Sequence, residues 1–399
     1  MPNTKPIQTI SSSKIPQLSA NQQKQIDDYI SLKSKHLQYP LYSSFDLRIS
    51  QCKTSIIDCN LFPAGFNNLC ENMTESAAGK FQEYLSAYYP KAKNVTIYTE
   101  AHTRNVFYYK NIKALGEIVK KAGYECFFAH PEIDGIIEGL IFHKNNLLIA
   151  DLIISNNDFS NGYPSELEQL QVPVIPRKNL SWFTRRKSKH FRLTNELGVE
   201  LAKIIDIDPW LFTSKFNYET NVDLQNKDSL LSIKNKALNL FEEISHKYQE
   251  YKIETPPTIF IKDDAGTYGM GIMTIQKASD LDSINRKTYN KMSTGKQHAI
   301  TDLILQEGVP SNLLYNNATA EPVLYCVENH LIGGFLRINQ DRGQLANLNS
   351  KGMEFYRLCR HPNEHPHLPE ECIEGEFLNN FNLLTLRLSL LAAAIENSA

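Results

Sequence analysis

The stretch that decides the fold is Thr258-Ile-Phe-Ile-Lys262-Asp-Asp-Ala-Gly266-Thr-Tyr-Gly269-Met-Gly271-Ile-Met-Thr-Ile275. Its apolar ends predict a strand that delivers Lys262, a loop with three glycines, and a returning strand. This order differs from the strand–loop–helix order of a Rossmann fingerprint or a P-loop. Glycines let the backbone approach phosphate oxygens, and a lysine ending an apolar strand is costly to bury without an anion. The stretch therefore predicts a nucleotide-phosphate site, with a tight hairpin and a snorkelling lysine as the alternative.

Three further segments follow this loop in a recognisable order. Ile304-Leu-Gln306-Glu307-Gly308-Val309 indicates a strand that ends in polar residues and a glycine turn. Val323–Val327 and Leu331–Ile338 indicate a hairpin with Arg337 on its second arm, and a turn with Asn347 comes next. Lysine strand, glycine loop, hinge strand and arginine hairpin in this order resemble the ATP-grasp enzymes, whose ATP lies between two antiparallel sheets.

That resemblance assigns roles to the quoted residues. It implies that Lys262 meets phosphate, that Gln306 to Val309 hydrogen-bond adenine, and that Arg337 stabilises the transferred phosphoryl group or the substrate. Arg48 is expected to join Lys262 and Arg337 in catalysis. The full set of implied ATP contacts in this part of the chain is Lys262, Gly266, Gly269, Gly271, Gln306, Glu307, Val309 and Asn347.

The magnesium motif of that superfamily does not follow Asn349, where it is normally expected. Its pattern occurs instead near the N-terminus, in Asp58-Cys-Asn60 followed by Pro63 and Gly65. Carboxylate and amide oxygens suit Mg²⁺, although a turn of Asx type is the alternative reading. We therefore expect an α/β (α+β) chain with a circularly permuted ATP-grasp fold, as in eukaryotic-type glutathione synthetases. The expected metal ligands are Asp46, Asp58, Asn60 and Asp264, the last of which equally fits a solvated loop residue.

The segment before this part has an α/β rhythm. A strand over Val95–Thr99, a helix over Asn105–Ala122 and a strand over Tyr124–Ala129 predict a parallel pair with a crossover, typical of a Rossmann-like substrate domain. Leu140–Phe142 and Leu147–Ile154 suggest a hairpin. Polar side chains after the first strand stand where open α/β sheets place ligands, although they also fit a polar helix cap. These candidate amino-acid contacts are Glu100, His102, Arg104 and Asn105.

Four strings together resemble one family, the proteobacterial ATP-grasp-type glutamate–cysteine ligases. They are Asp46-Leu-Arg48, Ile57-Asp58-Cys-Asn60-Leu-Phe-Pro63-Ala-Gly65-Phe-Asn67-Asn68, Glu100-Ala-His102-Thr-Arg104-Asn105 and Lys262 to Gly271. The resemblance implies an enzyme that uses ATP and Mg²⁺ to join L-glutamate to L-cysteine through a γ-glutamyl phosphate, with Asn67 among the substrate contacts. Another ATP-grasp carboxylate–amine ligase, such as a glutathione-synthetase-like enzyme, and a non-catalytic nucleotide-binding protein are the alternatives.

Charge and composition narrow the class of protein. The 399 residues suggest two or three domains, and 42 Lys and Arg nearly balance 44 Asp and Glu. This balance argues against nucleic acid or an anionic membrane as partner, and homo-oligomerisation stays open. Seven basic residues nevertheless fall between Arg177 and Arg192, which alone would resemble an RNA surface. By the ATP-grasp resemblance, Lys187 or Lys189 meets the α-phosphate of ATP.

Cysteine usage and chain organisation complete the expectations. The seven cysteines form no C-x-x-C pair, and the N-terminal residues have no signal-peptide core, so we expect a cytoplasmic protein without a disulfide framework. The expected division is a disordered tail (1–25), a segment completing the ATP-grasp sheet (26–75), a Rossmann-like domain (76–215) and an ATP-grasp nucleotide-binding domain (216–399).

Overall fold

The structure, a computed structural model, describes residues 7–10, 13–101, 105–160, 162–224, 226–265, 272–283, 301–359, 372–375 and 377–399. Its helices are α1 (Ala20–Ser34), α2 (Glu71–Tyr88), α3 (Val106–Lys121), α4 (Ser165–Glu168), α5 (Lys187–Ile205), α6 (Lys227–Glu250) and α7 (Asn380–Ser398). Its strands are β1 (Gln8–Thr9), β2 (Tyr42–Ile49), β3 (Thr54–Asn60), β4 (Asn94–Tyr98), β5 (Glu125–Ala129), β6 (Gly135–Ile137), β7 (Leu140–Phe142), β8 (Leu152–Ser155), β9 (Val174–Ile175), β10 (Phe216–Glu219), β11 (Ile259–Asp263), β12 (Met273–Ile275), β13 (Leu303–Glu307), β14 (Leu313–Tyr315), β15 (Ala318–Val327), β16 (His330–Asn339), β17 (Met353–Cys359) and β18 (Cys372–Glu374).

These strands form three sheets, so the fold is mixed α/β. The four-stranded sheet is antiparallel, in the order β10-β13-β11-β12. The six-stranded sheet has the order β6-β7-β5-β4-β8-β9, and its central strands β5, β4 and β8 are parallel. The eight-stranded sheet runs β1-β14-β15-β16-β17-β18, with β2 paired to β15 and β3 paired to β2.

The eight-stranded sheet combines segments from distant parts of the chain. β2 lies antiparallel to β15, with Asp46 opposite Val323, and β3 lies antiparallel to β2, with Asp58 opposite Asp46. The strands that carry Asp46 and Asp58 therefore share a sheet with the strand that carries Arg337. A ligand site built on this sheet draws on both ends of the sequence.

Helix α7 contributes side chains to two core clusters, one with residues of the eight-stranded sheet and one with residues of the four-stranded sheet. Side chains alternate across a strand, so Ile259 and Ile261 of β11 lie on the same face of their sheet. Both belong to a core cluster that also contains residues of α7. Phe45 and Leu47 of β2 pack with other α7 residues in a second cluster. Lys262, offset by one from Ile261, is directed to the opposite face of its sheet. The apolar faces thus pack into these clusters, whereas Lys262 on the polar face reaches the Ile57 carbonyl of β3, and we call this junction of the two sheets the cleft.

Most of the predicted local elements are present, with two corrections. Helix α3 and strands β4 and β5 match the predicted strand–helix–strand unit within about two residues. The predicted hairpin between Leu140 and Ile154 is wrong, because β7 pairs with β5 and β6, whereas β8 crosses to β4. The tail expected to be disordered over 1–25 is partly ordered, because β1 pairs with β14 and α1 begins at Ala20 behind a Ser19 capping box. Among the described residues, no helix is long and apolar enough to cross a membrane.

Candidate active site

Lys262 connects the four-stranded and eight-stranded sheets at the cleft. Its Nζ donates to Gln306 Oε1 at 2.8 Å within the four-stranded sheet and to the Ile57 carbonyl of β3 at 3.2 Å. Burial lowers the pKa of Lys262 to about 8, although the nearby Asp58 carboxylate opposes this effect. A half-buried ammonium group at the junction of two sheets is able to bind an anion.

Asp58 lies beside Lys262 and forms an ion pair with Lys187 at the start of α5. Burial by itself would raise the pKa of Asp58, but Lys187 and Lys262 outweigh it and hold the pKa below its usual value. The Lys187 ammonium also lies 4.6 Å from the centre of the Trp182 ring. Of the two lysines predicted to meet ATP, Lys187 is therefore at the cleft, whereas Lys189 is exposed on α5.

Four charged side chains form a continuous chain on the polar face of the eight-stranded sheet. Arg337 Nη1 donates to Asp46 Oδ2 and to Glu321 Oε1, both at 2.7 Å. The second Glu321 oxygen lies 2.5 Å from Arg48 Nε. Arg48 in turn donates to the carbonyls of Gln344 and Ala346 at 2.7 and 2.9 Å. Arg48 and Arg337 are thus fixed by the shared carboxylate of Glu321, and Arg48 also holds the loop that contains Asn347.

The donor set around Asp46 and Asp58 is compatible with a phosphate-bound Mg²⁺ ion. Burial raises the pKa of Asp46, Arg337 partly offsets that, and the neighbouring Glu321 and Asp58 carboxylates raise it further. Asn60 Oδ1 accepts the Phe62 N–H at 2.9 Å, an Asx-type contact that leaves a second lone pair. No three His, Cys, Asp or Glu side chains converge on a metal position among the described residues. Mg²⁺ usually needs only one or two carboxylates when phosphates supply other ligands, so these residues fit it.

Asp264, the fourth candidate metal ligand, contacts the start of α5. Its carboxylate accepts the Ser188 N–H at 2.7 Å and the Ser188 hydroxyl at 2.5 Å. Its carbonyl accepts the Lys187 N–H at 2.9 Å. The flanking Arg186 gives no side-chain cap to this helix. Asp264 therefore supplies the missing cap and ties α5 to the residues that follow β11.

The hinge strand β13 ends at a second buried ion pair and a cavity. Glu307 accepts Lys53 Nζ at 2.8 Å and Trp210 Nε1 at 2.9 Å, so both of its carboxylate oxygens have protein partners. A cavity of about 380 Å³ lies beside it and is bordered by Val309, Lys53, Trp210, Tyr248, Lys252 and Gln344. Gln306 is on the other side of the strand, where it bonds Lys262.

The predicted amino-acid contacts are only partly described. Glu100 is buried, and its backbone N–H donates to the Tyr108 hydroxyl at 2.9 Å. Asn105 caps α3 through a 3.0 Å bond from the Phe107 N–H, as the alternative reading expected. Asn67 Nδ2 donates to its neighbour Asn68 at 3.2 Å. His102, Arg104, Gly266, Gly269 and Gly271 lie outside the described residues.

Sequence reasoning missed four residues that hold this site together. Glu321 lies two residues before the predicted hairpin and carries no local signal, since its partners Arg48 and Arg337 meet it only in the folded sheet. Arg185 belonged to the basic cluster, where nothing distinguished it from its neighbours. Glu396 and His190 contact each other across 206 positions of the chain. Only a knowledge of tertiary contacts could have found them.

Comparisons with known proteins give consistent results. The family model GshA, described as glutamate-cysteine ligase, matches residues 17–397. A crystal structure from Methylobacillus flagellatus KT, assigned as a gamma-glutamylcysteine synthetase, has 32% identity and a TM-score of 0.81, with 94% of this chain and 93% of that chain covered. No match was found among the curated proteins.

Two more distant structures are also similar in part. D-alanyl-alanine synthetase A from Vibrio cholerae has 9% identity and a TM-score of 0.29, over 62% of this chain and 68% of that chain. A glutathione synthetase-like effector from Globodera pallida has 8% identity and a TM-score of 0.35, over 84% and 82%. At these scores neither likeness carries an argument about this chain.

Proposed function

The chain belongs to the glutamate–cysteine ligase family, and from this premise we propose that its reaction uses ATP and Mg²⁺ in the cleft between the four-stranded and eight-stranded sheets. Membership makes it a ligase of glutathione biosynthesis that forms γ-glutamylcysteine. The finer proposal concerns how this chain does so. Its fold is a circularly permuted ATP-grasp, completed by β2 and β3, with a Rossmann-like sheet for the amino acids.

The phosphates of ATP lie between Lys262 and Lys187. Both ammonium groups interact electrostatically with the Asp58 carboxylate. A polyphosphate that enters the cleft offers each lysine a stronger anionic partner. The adenine lies against the hinge from Gln306 to Val309, as the ATP-grasp resemblance implies.

Asp58, Asp46 and Asn60 are the residues that would hold Mg²⁺ on those phosphates. When bound, the ion supplies charge neutralisation at the phosphate oxygens. In the free protein Lys187 neutralises Asp58 and Arg337 neutralises Asp46. The pKa of Asp58 is thereby held below its usual value, as suits a metal ligand, whereas burial raises the pKa of Asp46. Asp264 acts as a helix cap outside this set.

The chemistry requires an activated carboxylate. The γ-carboxylate oxygen of glutamate attacks the γ-phosphorus of ATP, ADP leaves, and a γ-glutamyl phosphate results. The cysteine amine then attacks the acyl carbon, phosphate leaves, and the amine loses a proton. Arg337 lies beside the proposed Mg²⁺ ligands and stabilises the transferred phosphoryl group. Arg48 acts through Glu321, which keeps Arg337 oriented.

Glutamate and cysteine bind at the edge of the six-stranded sheet where β4 ends. Parallel strands of open α/β sheets present their carboxyl ends to ligands, and Glu100 follows β4 directly. Asn67 belongs to the loop whose Gly65 and Phe66 N–H groups bond Asn111 of α3. These two bonds tie the loop that follows the Asp58 strand to a helix of the substrate domain. We place the protein in the cytoplasm, in agreement with substrates that are free amino acids.

The observation that carries the proposal is Lys262, which bridges the two sheets beside Asp58. The test is ADP release by the full chain with glutamate alone, cysteine alone and both. We expect release that depends on both amino acids and stops when EDTA removes Mg²⁺. Release that is unaffected by EDTA would refute the metal assignment, and a chain that consumes no ATP with both amino acids would refute the whole proposal.

A further inference from the structure

Glu396, near the end of α7, is the centre of a buried ionic cluster away from the cleft. Its carboxylate accepts Arg185 Nε at 3.2 Å and Arg185 Nη2 at 3.1 Å, a two-pronged contact. The same carboxylate lies 2.7 Å from His190 Nδ1, and His190 Nε2 lies 2.7 Å from the Ser389 hydroxyl. Glu396 and Arg185 are 3% and 2% exposed, so the cluster is sealed from water.

The cluster reaches the cleft through the backbone of β3. Arg185 Nη1 donates to the Cys59 carbonyl at 2.8 Å, and Nη2 lies 3.4 Å from the Cys59 sulfur. Cys59 separates Asp58 from Asn60 and its side chain is on the opposite face of the strand. The Arg185 guanidinium therefore bonds β3 at Cys59, the residue between the two proposed metal ligands, and contacts the face of the strand opposite Asp58.

The same cluster also fixes the helix start that carries Lys187. Arg185 precedes Lys187 by two positions and His190 follows it by three, and both side chains contact Glu396. The Lys187 backbone is thus held on both sides by one carboxylate. Since Lys187 pairs with Asp58, the anion-binding lysine and the carboxylate strand share a single anchor on α7.

We propose that Glu396 and Arg185 are positioning residues, which hold the Asp58–Asn60 strand end and Lys187 in the arrangement that binds metal–nucleotide. The inference rests on the proposed function, because it concerns the same cleft. Neither residue touches the nucleotide or the metal. Their effect passes through the Cys59 carbonyl and the first turn of α5, and it sets the spacing between the ligands on β3 and the lysine.

A cluster that served only to stabilise the fold would behave differently. Loss of any of its bonds would lower the stability of the whole chain, but the native molecules that remain would bind metal–nucleotide with unchanged affinity. A positioning role predicts that affinity depends on which bond is lost. Loss of the bonds that reach Cys59 should weaken the affinity for metal–nucleotide, whereas loss of the His190–Ser389 bond should leave it unchanged.

The experiment compares Mn²⁺–ATP binding by isothermal titration calorimetry in full-length variants, at a temperature where circular dichroism shows each to be folded. Arg185→Lys keeps the charge but cannot span Glu396 and Cys59 with a rigid fork. Glu396→Gln keeps the shape but loses the charge that holds Arg185. We expect both to bind at least tenfold more weakly than the wild type. The control, Ser389→Ala, stays within about twofold, because the Arg185–Cys59 contact is untouched.

The outcomes separate this inference from the proposed function. A wild-type chain that binds no Mn²⁺–ATP overturns the proposed function itself. Normal binding by the wild type, together with equally tight binding by Arg185→Lys or Glu396→Gln, overturns the positioning role alone. Weakening by Ser389→Ala to the same extent as the other two also overturns it, since the cluster would then act only through general stability.

A measurement on the wild-type chain keeps the test valid if the variants do not fold. Binding free energies are reciprocal, so Mn²⁺–ATP should tighten the anchor that it depends on. We expect slower amide hydrogen exchange in the last turns of α7 when Mn²⁺–ATP is added, although α7 does not line the cleft. Unchanged exchange in α7, with protection confined to the cleft strands, would contradict the inference.

Discussion

The charge on Lys262, which we propose serves catalysis, has a cost in stability. Its ammonium group is partly desolvated and has neutral hydrogen-bond partners, Gln306 and the Ile57 carbonyl. Burial lowers its pKa to about 8, so the folded chain still carries this charge at pH 7. The free-energy cost is present below pH 8 and disappears as the pH rises toward the ordinary lysine value of about 10.5.

Lys262→Met should therefore abolish turnover and yet stabilise the protein at neutral pH. We expect kcat to fall at least about a thousandfold, because the phosphates lose a positive contact in a low-dielectric site. The free energy of unfolding should rise by about 1 kcal/mol at pH 7, with less gain at pH 9.5. ADP-release assays and urea unfolding at the two pH values measure both effects. A variant with normal turnover would remove Lys262 from the mechanism.

Protonation of His190 makes the free energy of unfolding fall as the pH rises, whereas the charge on Lys262 makes it rise. Burial alone would lower its pKa, but the Cys59 sulfur and the Glu396 carboxylate raise it to about 9. A histidine with a raised pKa contributes stability that is fully present below pH 6.5 and is lost as the pH rises through 9. Replacement by a residue that does not titrate removes this dependence.

His190→Gln should accordingly destabilise the chain most at pH 6. We expect the difference in unfolding free energy from the wild type to be roughly 2 to 3 kcal/mol larger at pH 6 than at pH 9.5. Urea denaturation followed by tryptophan fluorescence at both pH values gives this difference. Equal differences at the two pH values would mean that His190 is neutral in the folded protein.

At the scale of elements, α5 begins in a way that sequence rules do not favour. Lys187 and Lys189 place positive charge at the positive end of the helix dipole, and Arg186 cannot cap it. Asp264, from the end of β11, compensates by accepting two bonds from Ser188. Two elements that are far apart in sequence are joined by this cap, and Lys187 is presented to the cleft as a result.

Two replacements of Asp264 distinguish a cap from a metal ligand. Asp264→Ala should lower the free energy of unfolding by about 1 to 2 kcal/mol, as loss of a helix cap does. Asp264→Asn, which keeps an acceptor for the Ser188 N–H, should change it by less than that. The Mg²⁺ concentration that half-saturates ADP release should stay the same in Asp264→Asn. A tenfold increase would instead identify Asp264 as a ligand.

The elements were predictable where their signal is local. Apolar spacing identified α3, and the apolar runs of β15 and β16 identified their hairpin. The run from Leu147 to Ile154 was misassigned because short apolar segments do not reveal their strand partner.

In the candidate site, motifs indicated Lys262 and Asp58, but the ion pair between Asp46 and Arg337 joins residues 291 positions apart. No local pattern encodes a contact of that range.

For the whole molecule, the mixed origin of the eight-stranded sheet has a consequence for folding. β15 lies between β2 and β16, and its Leu324 and Cys326 pack in the same core cluster as Phe45 of β2. Without β2 and β3, one edge of β15 and part of that cluster would be open to water. The N-terminal segment is thus required by the same sheet that carries Arg337.

A truncated chain of residues 76–399 should therefore lack a cooperative thermal transition. The matched control is a chain of residues 20–399, which loses β1 but keeps β2 and β3. We expect it to unfold cooperatively, with a melting temperature lowered by only a few degrees, since β1 is two residues long. Differential scanning calorimetry compares the two. A cooperative transition in the 76–399 chain would contradict the sheet's dependence on β2.

The account as a whole depends on where the nucleotide binds. A crystal structure of the full chain with Mg²⁺ and a non-hydrolysable ATP analogue tests this most directly. We predict phosphates between Lys262 and Lys187, with the metal ion on Asp58 and Asp46 and the adenine against the Gln306–Val309 hinge. A nucleotide bound outside the cleft between the four-stranded and eight-stranded sheets, or a metal ion held by neither carboxylate, would contradict it.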